Sequence, residues 1–274
     1  TAPVDGEYLA VVSDVRGFGG QSYRYRLDLR RPEPDFDAKV RIDSATISAG
    51  SGREFTVEVD RRDGFSGEVR IDIADLPPGF EASTPVVVQR DQKNAYGVIY
   101  ALPGAEPPAE EDATPRITAS ASIAGQQRAK EVEPFGPLKL GDPPKVRVAI
   151  SASGNPAEWS ANAPLVLEIA PGETISAVVH VERNGEFRGE VPLGKEVCGR
   201  NLPHGVIVDN IGLNGLLVVA GEESRTFFLT AAKWVPETER MFHLRTDVGD
   251  GGQASRPVLL KVRREQPNAS QPNE

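Results

Sequence analysis

One cysteine, one methionine, three histidines and two tryptophans are all that the 274 residues hold of those four types. A lone Cys198 excludes an internal disulfide, so any domain in the chain must stand on a hydrophobic core. Its neighbours, Glu196-Val197-Cys198-Gly199-Arg200, match no thiol-enzyme motif, and the residue reads as a half-buried thiol at a strand end. His180, His204 and His243 are too few and too scattered for a zinc site. No catalytic set, metal or cofactor is expected, because a nucleophile or acid/base group needs partners within reach. Positive charge is also in deficit. Lys plus Arg number 31 against 40 Asp plus Glu, a net charge of −9, which excludes the basic footprint needed to neutralise nucleic-acid phosphates. No apolar run approaches the roughly 20 residues of a membrane-spanning helix, and no charged-then-apolar leader opens the chain. With Thr1 first and Met241 its only methionine, the chain reads as an excised or processed piece, any leader or anchor lying elsewhere.

What the chain has in quantity is turns and alternation. Glycine (27) and proline (23) are frequent enough to demand many turns, yet fall short of low-complexity composition. Apolar residues recur with period two at Phe55, Val57 and Val59, at Val69, Ile71 and Ile73, at Tyr96, Val98 and Tyr100, at Val146, Val148 and Ile150, and at Ala177, Val179 and Val181. That period predicts half-buried strands with the apolar set on the core face, and places His180 on the solvent face. No segment keeps helical spacing over three turns. The nearest, Gln126 to Glu133, ends at Pro134.

A repeat sets the organisation. Val59 to Val69 aligns without a gap with Val181 to Val191, an offset of 122, with six of eleven positions identical, among them Arg61/Arg183, Phe65/Phe187 and Gly67/Gly189. Leu76-Pro77-Pro78-Gly79 matches Leu202-Pro203-His204-Gly205 at offset 126, and Val87-Val88 matches Val218-Val219 at offset 131. Leu138 and Leu140 return to offset 122 against Leu260 and Val262, and the second copy gains about four residues between Phe187 and Leu202. The expected fold is therefore all-β: two tandem immunoglobulin-like β-sandwiches, residues 36–141 and 145–264, each of some seven short strands. Phe65 and Phe187 are expected to cap the open ends of the sandwiches, with Gly67 and Gly189 turning the chain into the next strand. The Pro-rich stretches at 31–34 and 141–144 read as semi-rigid spacers, and 265–274 as a disordered polar tail. Residues 1–31 read as a β-hairpin fragment of a third β-domain, with strands near 5–12 and 23–29 around Gly17-Phe18-Gly19-Gly20.

Few side chains offer chemistry. Glu110-Glu111-Asp112, Asp247 with Asp250, and Asp35-Phe36-Asp37 at the domain border are the acidic clusters to weigh for calcium, though none has the spacing of a known calcium loop. Trp159 and Trp234 both fall in the second copy, outside its predicted strands; Trp234 aligns with Pro103 of the first. They are the candidate ligand-binding residues, as stacking platforms, against the alternative of local hydrophobic plugs.

Gly6 to Asp14, a Gly-rich turn and Tyr25 to Leu29 resemble the closing strands of bacterial pre-peptidase C-terminal domains. The two modules behind them, through Arg-x-Gly-Phe-x-Gly-Glu-Val and Leu-Pro-Pro-Gly turns, resemble the tandem immunoglobulin-like domains that accompany such domains in large exported planctomycete-type proteins. The resemblance implies a secreted or cell-surface location and a non-catalytic spacer and interaction role. The alternative is a carbohydrate- or protein-binding module that targets an attached enzyme to a polymer. The partners it implies are a cell-surface polysaccharide or protein and neighbouring domains of the same polypeptide.

Overall fold

The computed structural model describes residues 4–155, 163–195, 198–209, 211–249 and 252–264. The tail 265–274 and Trp159 lie outside them. The chain divides into two compact units, 1–33 and 34–274.

In the first unit residues 4–33 form no strand. The hairpin expected there is replaced by two turns: Gly17 N–H donates to Asp14 O at 3.0 Å and Tyr23 N–H to Gly20 O at 3.0 Å, with Phe18 and Tyr23 stacked at 6.4 Å. Leu9, Val11 and Leu29 are exposed. Two strands with no further sheet have nothing to bury an apolar face against, so alternation alone does not pair them.

The second unit is all-β; its one helical turn among the described residues is the 3₁₀ turn Glu110–Asp112. In its first half, β1 (Asp35–Ile42), β3 (Ser51–Arg62), β7 (Asn94–Ala101) and β5 (Phe80–Ala82) pair antiparallel in that order. The facing sheet orders β6 (Val86–Val88), β4 (Val69–Ala74), β8 (Arg116–Ile123) and β9 (Gln126–Val132). A short parallel pair, β2 (Thr46–Ser48) with β10 (Lys139–Gly141), completes it. Phe36, Phe55, Ile71, Ile99 and Ile117 interdigitate between the two sheets. The second half repeats the plan. Strands β11 (Val146–Ser151), β13 (Thr174–Arg183), β17 (Ser224–Ala231) and β15 (Val206–Asp209) make one sheet, and β12 (Val166–Ile169), β21 (Val258–Val262) and β18 (Thr238–Phe242) another. The pair β14 (Val191–Pro192) and β16 (Leu217–Val218) lies beside them.

Registers show the repeat at the level of single residues. Leu140 pairs with Ile47 and Val262 with Ile169, both shifted by the same 122 positions. Phe55 lies opposite Gly97 in the first half, and Ala177 opposite Phe227 in the second. The ring has changed strands, but the pair still places one phenyl in the core, so the filled volume is kept. A Cβ on Gly97 would lie 2.3 Å from Phe55 Cζ, which is why that ring demands glycine opposite.

The shared motifs are packing devices. Phe65 lies over Gly67 and Phe187 over Gly189, where a Cβ would come within 2.7 Å and 3.0 Å of ring carbons. These glycines make room for a ring; neither is needed for a left-handed backbone. Phe65 is buried, whereas Phe187 is only partly so. Arg61 donates to the carbonyls of Gly67, Gln89 and Gln92, and Arg183 to those of Gly189, Val218, Val219 and Glu222, so this identical arginine ties together the turns of each copy. In Leu-Pro-x-Gly, Gly79 and Gly205 take φ of 80° and 89°, a region open to glycine. Their carbonyls accept from Leu102 and Ala232. That frame runs at offset 130 and sets Trp234 against Gly104, one residue from the Pro103 expected.

The halves are not merely strung together. Beyond β18, the second half extends a hairpin, β19 (Arg245–Thr246) and β20 (Gln253–Ala254), whose Ala254 pairs antiparallel with Gly52 on β3. The first half's sheet thereby gains two strands from the second.

Candidate functional site

The hairpin lands on the outer face of β7 and β3, and there one expectation is corrected. Tyr96, Val98 and Tyr100 do share a face, but it is not the core face. Ala95, Ile99 and Ala101 point into the first core, while Val98 and Tyr100 pack with Ala254 of the hairpin. Period two reveals which residues share a face and leaves open which face is inside. At Gly52 a Cβ would lie 2.4 Å from Val98 Cγ1 and 3.1 Å from Ala254 O, so the close approach of the hairpin requires glycine.

Beside this contact sits the most enclosed charge cluster among the described residues. Glu54 projects from β3 with its side chain only 7 % exposed. Arg200 grips it with two hydrogen bonds of 2.8 Å, Arg245 donates at 2.9 Å and His243 Nε2 lies 2.8 Å from Oε2. Arg200 also stacks on the Tyr96 ring at 3.7 Å, a cation–π contact. Burial pushes the Glu54 carboxyl up, but the hydrogen bonds from Arg200 and His243 outweigh it and hold it well below the usual carboxylate range. Burial likewise drives the fully buried His243 imidazole down, reinforced by the Arg200 and Arg245 charges and opposed by Glu54. The ring is therefore neutral at pH 7, with Nε2–H assigned as donor to Glu54 and Nδ1 buried without a partner. A bare imine nitrogen tolerates that position; a protonated Nδ1–H would be a buried donor with no acceptor.

Further contacts follow one pattern, arginines from the second half on acceptors of the first. Arg256 binds Glu81 through two bonds of 2.7 Å, and Arg240 donates to Val87 O at 3.0 Å. Gln253 accepts from Ser51 Oγ. Around Tyr96 and Arg200 the surface opens into two clefts. One, of about 520 Å³, runs over the outer face of β1, β3 and β7 under Arg245, Gly252 and Gln253. The other, of about 700 Å³, follows β15 past Cys198 and Leu202. That second cleft borders the residues the second copy gains, where the long β4 is replaced by the short β14 and the bridge Arg200–His243.

Comparison with known protein families and with curated proteins finds no match to this chain.

The remaining candidates are scattered. Trp159 lies outside the described residues, as does Asp250. Trp234 is 60 % exposed, lies against Gly205 and faces the His204 ring at 5.1 Å. Cys198 is buried in the second core, its thiol pushed up to about 12 by burial. His180 is buried and not on a solvent face, with Nε2 2.7 Å from Ser151 Oγ. The turn after β11 folds over it: Gly154 N–H donates to Ser151 Oγ and its Cα side lies against Val178. Ser151 is wholly buried, whereas His180 borders a cleft of about 660 Å³ with Glu182, Arg183 and Arg188. Asp35 and Asp37, weighed for calcium, hold Lys130 Nζ at 2.7 and 3.1 Å, and that ammonium already supplies their positive charge. Asp247 pairs with Arg245 at 2.6 Å. Among the described residues no group of three His, Cys, Asp or Glu could hold a metal ion. The Glu54 cluster was missed in the sequence because its members are up to 191 positions apart.

Proposed function

We propose that the chain is a non-catalytic spacer and interaction segment of an exported bacterial protein, its two halves immunoglobulin-like modules fused into one rigid body. The observation that carries this reading is the β-bridge from Ala254 to Gly52 with Glu54 clamped beside it by Arg200, Arg245 and His243. Flexible tandem domains meet through small polar interfaces, whereas a shared sheet with a buried ion cluster fixes one orientation. The resemblance of 1–31 to the end of a pre-peptidase C-terminal domain belongs to the same proposal, as does a secreted or cell-surface location. Spin labels introduced as Gln127→Cys and Leu213→Cys test the rigidity by pulsed dipolar spectroscopy. A single narrow distance distribution is expected; a broad one refutes the rigid spacer.

The targeting alternative, a module that binds polysaccharide or protein, is favoured by one observation: the Trp234 indole is largely exposed, braced by Gly205 and His204. A rigid aromatic face gains contact area with little side-chain entropy to lose. Acrylamide should quench Trp234 freely, and a polysaccharide ligand should protect it.

A further inference from the structure

The 520 Å³ cleft has walls from both halves, and its floor is a polar grid. Arg41, Thr56 and Tyr96 lie in one cross-strand row over β1, β3 and β7, and Glu58 and Asn94 in the next. Strands sit about 4.8 Å apart, so each row presents polar groups at that interval. The side chains of Asp43, Thr56 and Asn94 make no hydrogen bond to any described residue. Over this floor the second half supplies Arg245, Gly252 and Gln253.

Charge decides the ligand class. Arg200 and Arg245 are neutralised by Glu54, and Arg245 again by Asp247; Arg41 faces Glu58 at 4.0 Å. With Asp43 included, three arginines stand against four carboxylates, Asp247 among them, so phosphate finds no net attraction and the single excess carboxylate is too little to hold a metal cation. The site does offer donors and acceptors side by side, which suits hydroxyl groups, since each can donate and accept. An extended peptide is disfavoured because both edges of β3 are already paired over these residues, by β1 and β7, leaving no backbone ladder to extend. Stacking is not on offer either, because Arg200 covers the Tyr96 ring. The volume lies within the range of small-molecule sites.

We infer that this cleft binds a neutral sugar unit, held by hydrogen bonds from Thr56, Asn94 and the Arg41–Glu58 pair. Because the roof belongs to the second half and the floor to the first, the sugar binds only the joined state and stabilises it. The inference goes beyond the spacer reading and is independent of Trp234.

Calorimetry and amide-shift NMR on the full chain, titrated with glucose, galactose, N-acetylglucosamine and cellobiose, test it. At least one should bind saturably with Kd on the order of 1 mM, shift the Thr56 and Asn94 amides and raise the unfolding midpoint. Thr56→Ala and Asn94→Ala should each weaken binding about tenfold, the loss of one or two hydrogen bonds, while each variant still unfolds in a single ligand-free transition. No saturable binding by any of the four refutes the inference. So does tighter binding of inorganic phosphate or calcium. Binding that survives Asn94→Ala but is lost in Trp234→Ala also overturns it, and would give the sugar to the exposed indole, leaving the targeting alternative standing. A narrow label-to-label distance with no sugar binding would keep the spacer and sink only this cleft.

Discussion

Glu54→Ala removes the carboxylate on which three side chains of the second half converge. The magnitude follows from burial. Glu54 is 7 % exposed, Arg200 18 % and Arg245 32 %. Exposed ion pairs contribute at most about 1 kcal/mol. Breaking a buried pair by deleting one partner costs about 3–5 kcal/mol, because the remaining charge stays desolvated. Arg200 fits the second case, its guanidinium pinned between the lost carboxylate and the Tyr96 ring. Arg245 fits neither fully, since Asp247 remains beside it and water reaches it. The expected loss is therefore near the lower end, about 3 kcal/mol, and it falls on the joint and not on either core. Urea unfolding followed by circular dichroism should change from one transition to two as the halves uncouple, and the hydrodynamic radius should grow before either core melts. A loss under about 1 kcal/mol with a single transition would show that the hairpin contact holds the joint without the cluster, and the reasoning would fall.

Acid should act on the same place. His243 is held neutral in the folded state but takes a proton when unfolded below its ordinary value of 6.5, so stability is full above that pH and declines as pH falls below it. Glu54 adds a second loss below 4.5, since its folded pKa is depressed; His243→Gln should flatten the first phase of a pH–stability profile, and an unchanged profile would clear the imidazole of any part. Cys198, buried and with a thiol raised to about 12, should react with a disulfide reagent at pH 8 only after unfolding; native labelling at the rate of a free thiol would contradict its burial. Phe65→Ala should cost about 3–5 kcal/mol and Phe187→Ala measurably less, given its partial exposure; equal costs by denaturant titration would mean that the two rings are seated alike.

How much of this could be read from the chain depends on sequence distance. The repeat was legible because Arg61, Phe65 and Gly67 act within one turn, so their recurrence at Arg183, Phe187 and Gly189 carries the packing with it. The parallel closing pairs followed from the same offset. The joint was not legible as a site, though one trace of it was present. From Ala95 to Ala101 the residues are apolar or small on both faces of the strand, the mark of a strand covered twice. Read as simple alternation, that segment hid its second partner. Glu54 and His243 were invisible for a different reason: a single Glu in a strand has the same pattern whether water or two guanidinium groups and an imidazole await it.

The bridge between Ala254 and Gly52 sets an order in time. Ser51 and Gln253, neighbours in the finished sheet, stand 202 positions apart in the chain. At synthesis rates of 5–20 residues per second, the first half, complete at Gly141, waits roughly 6–23 s for Ala254, the residue that covers Val98 and Tyr100. Throughout that interval it presents an apolar strip beside an unpaired stretch of β3, the kind of surface to which other chains adhere. A nascent chain of this design needs an escort, or a quick first fold that shields the strip, until its own distant hairpin arrives.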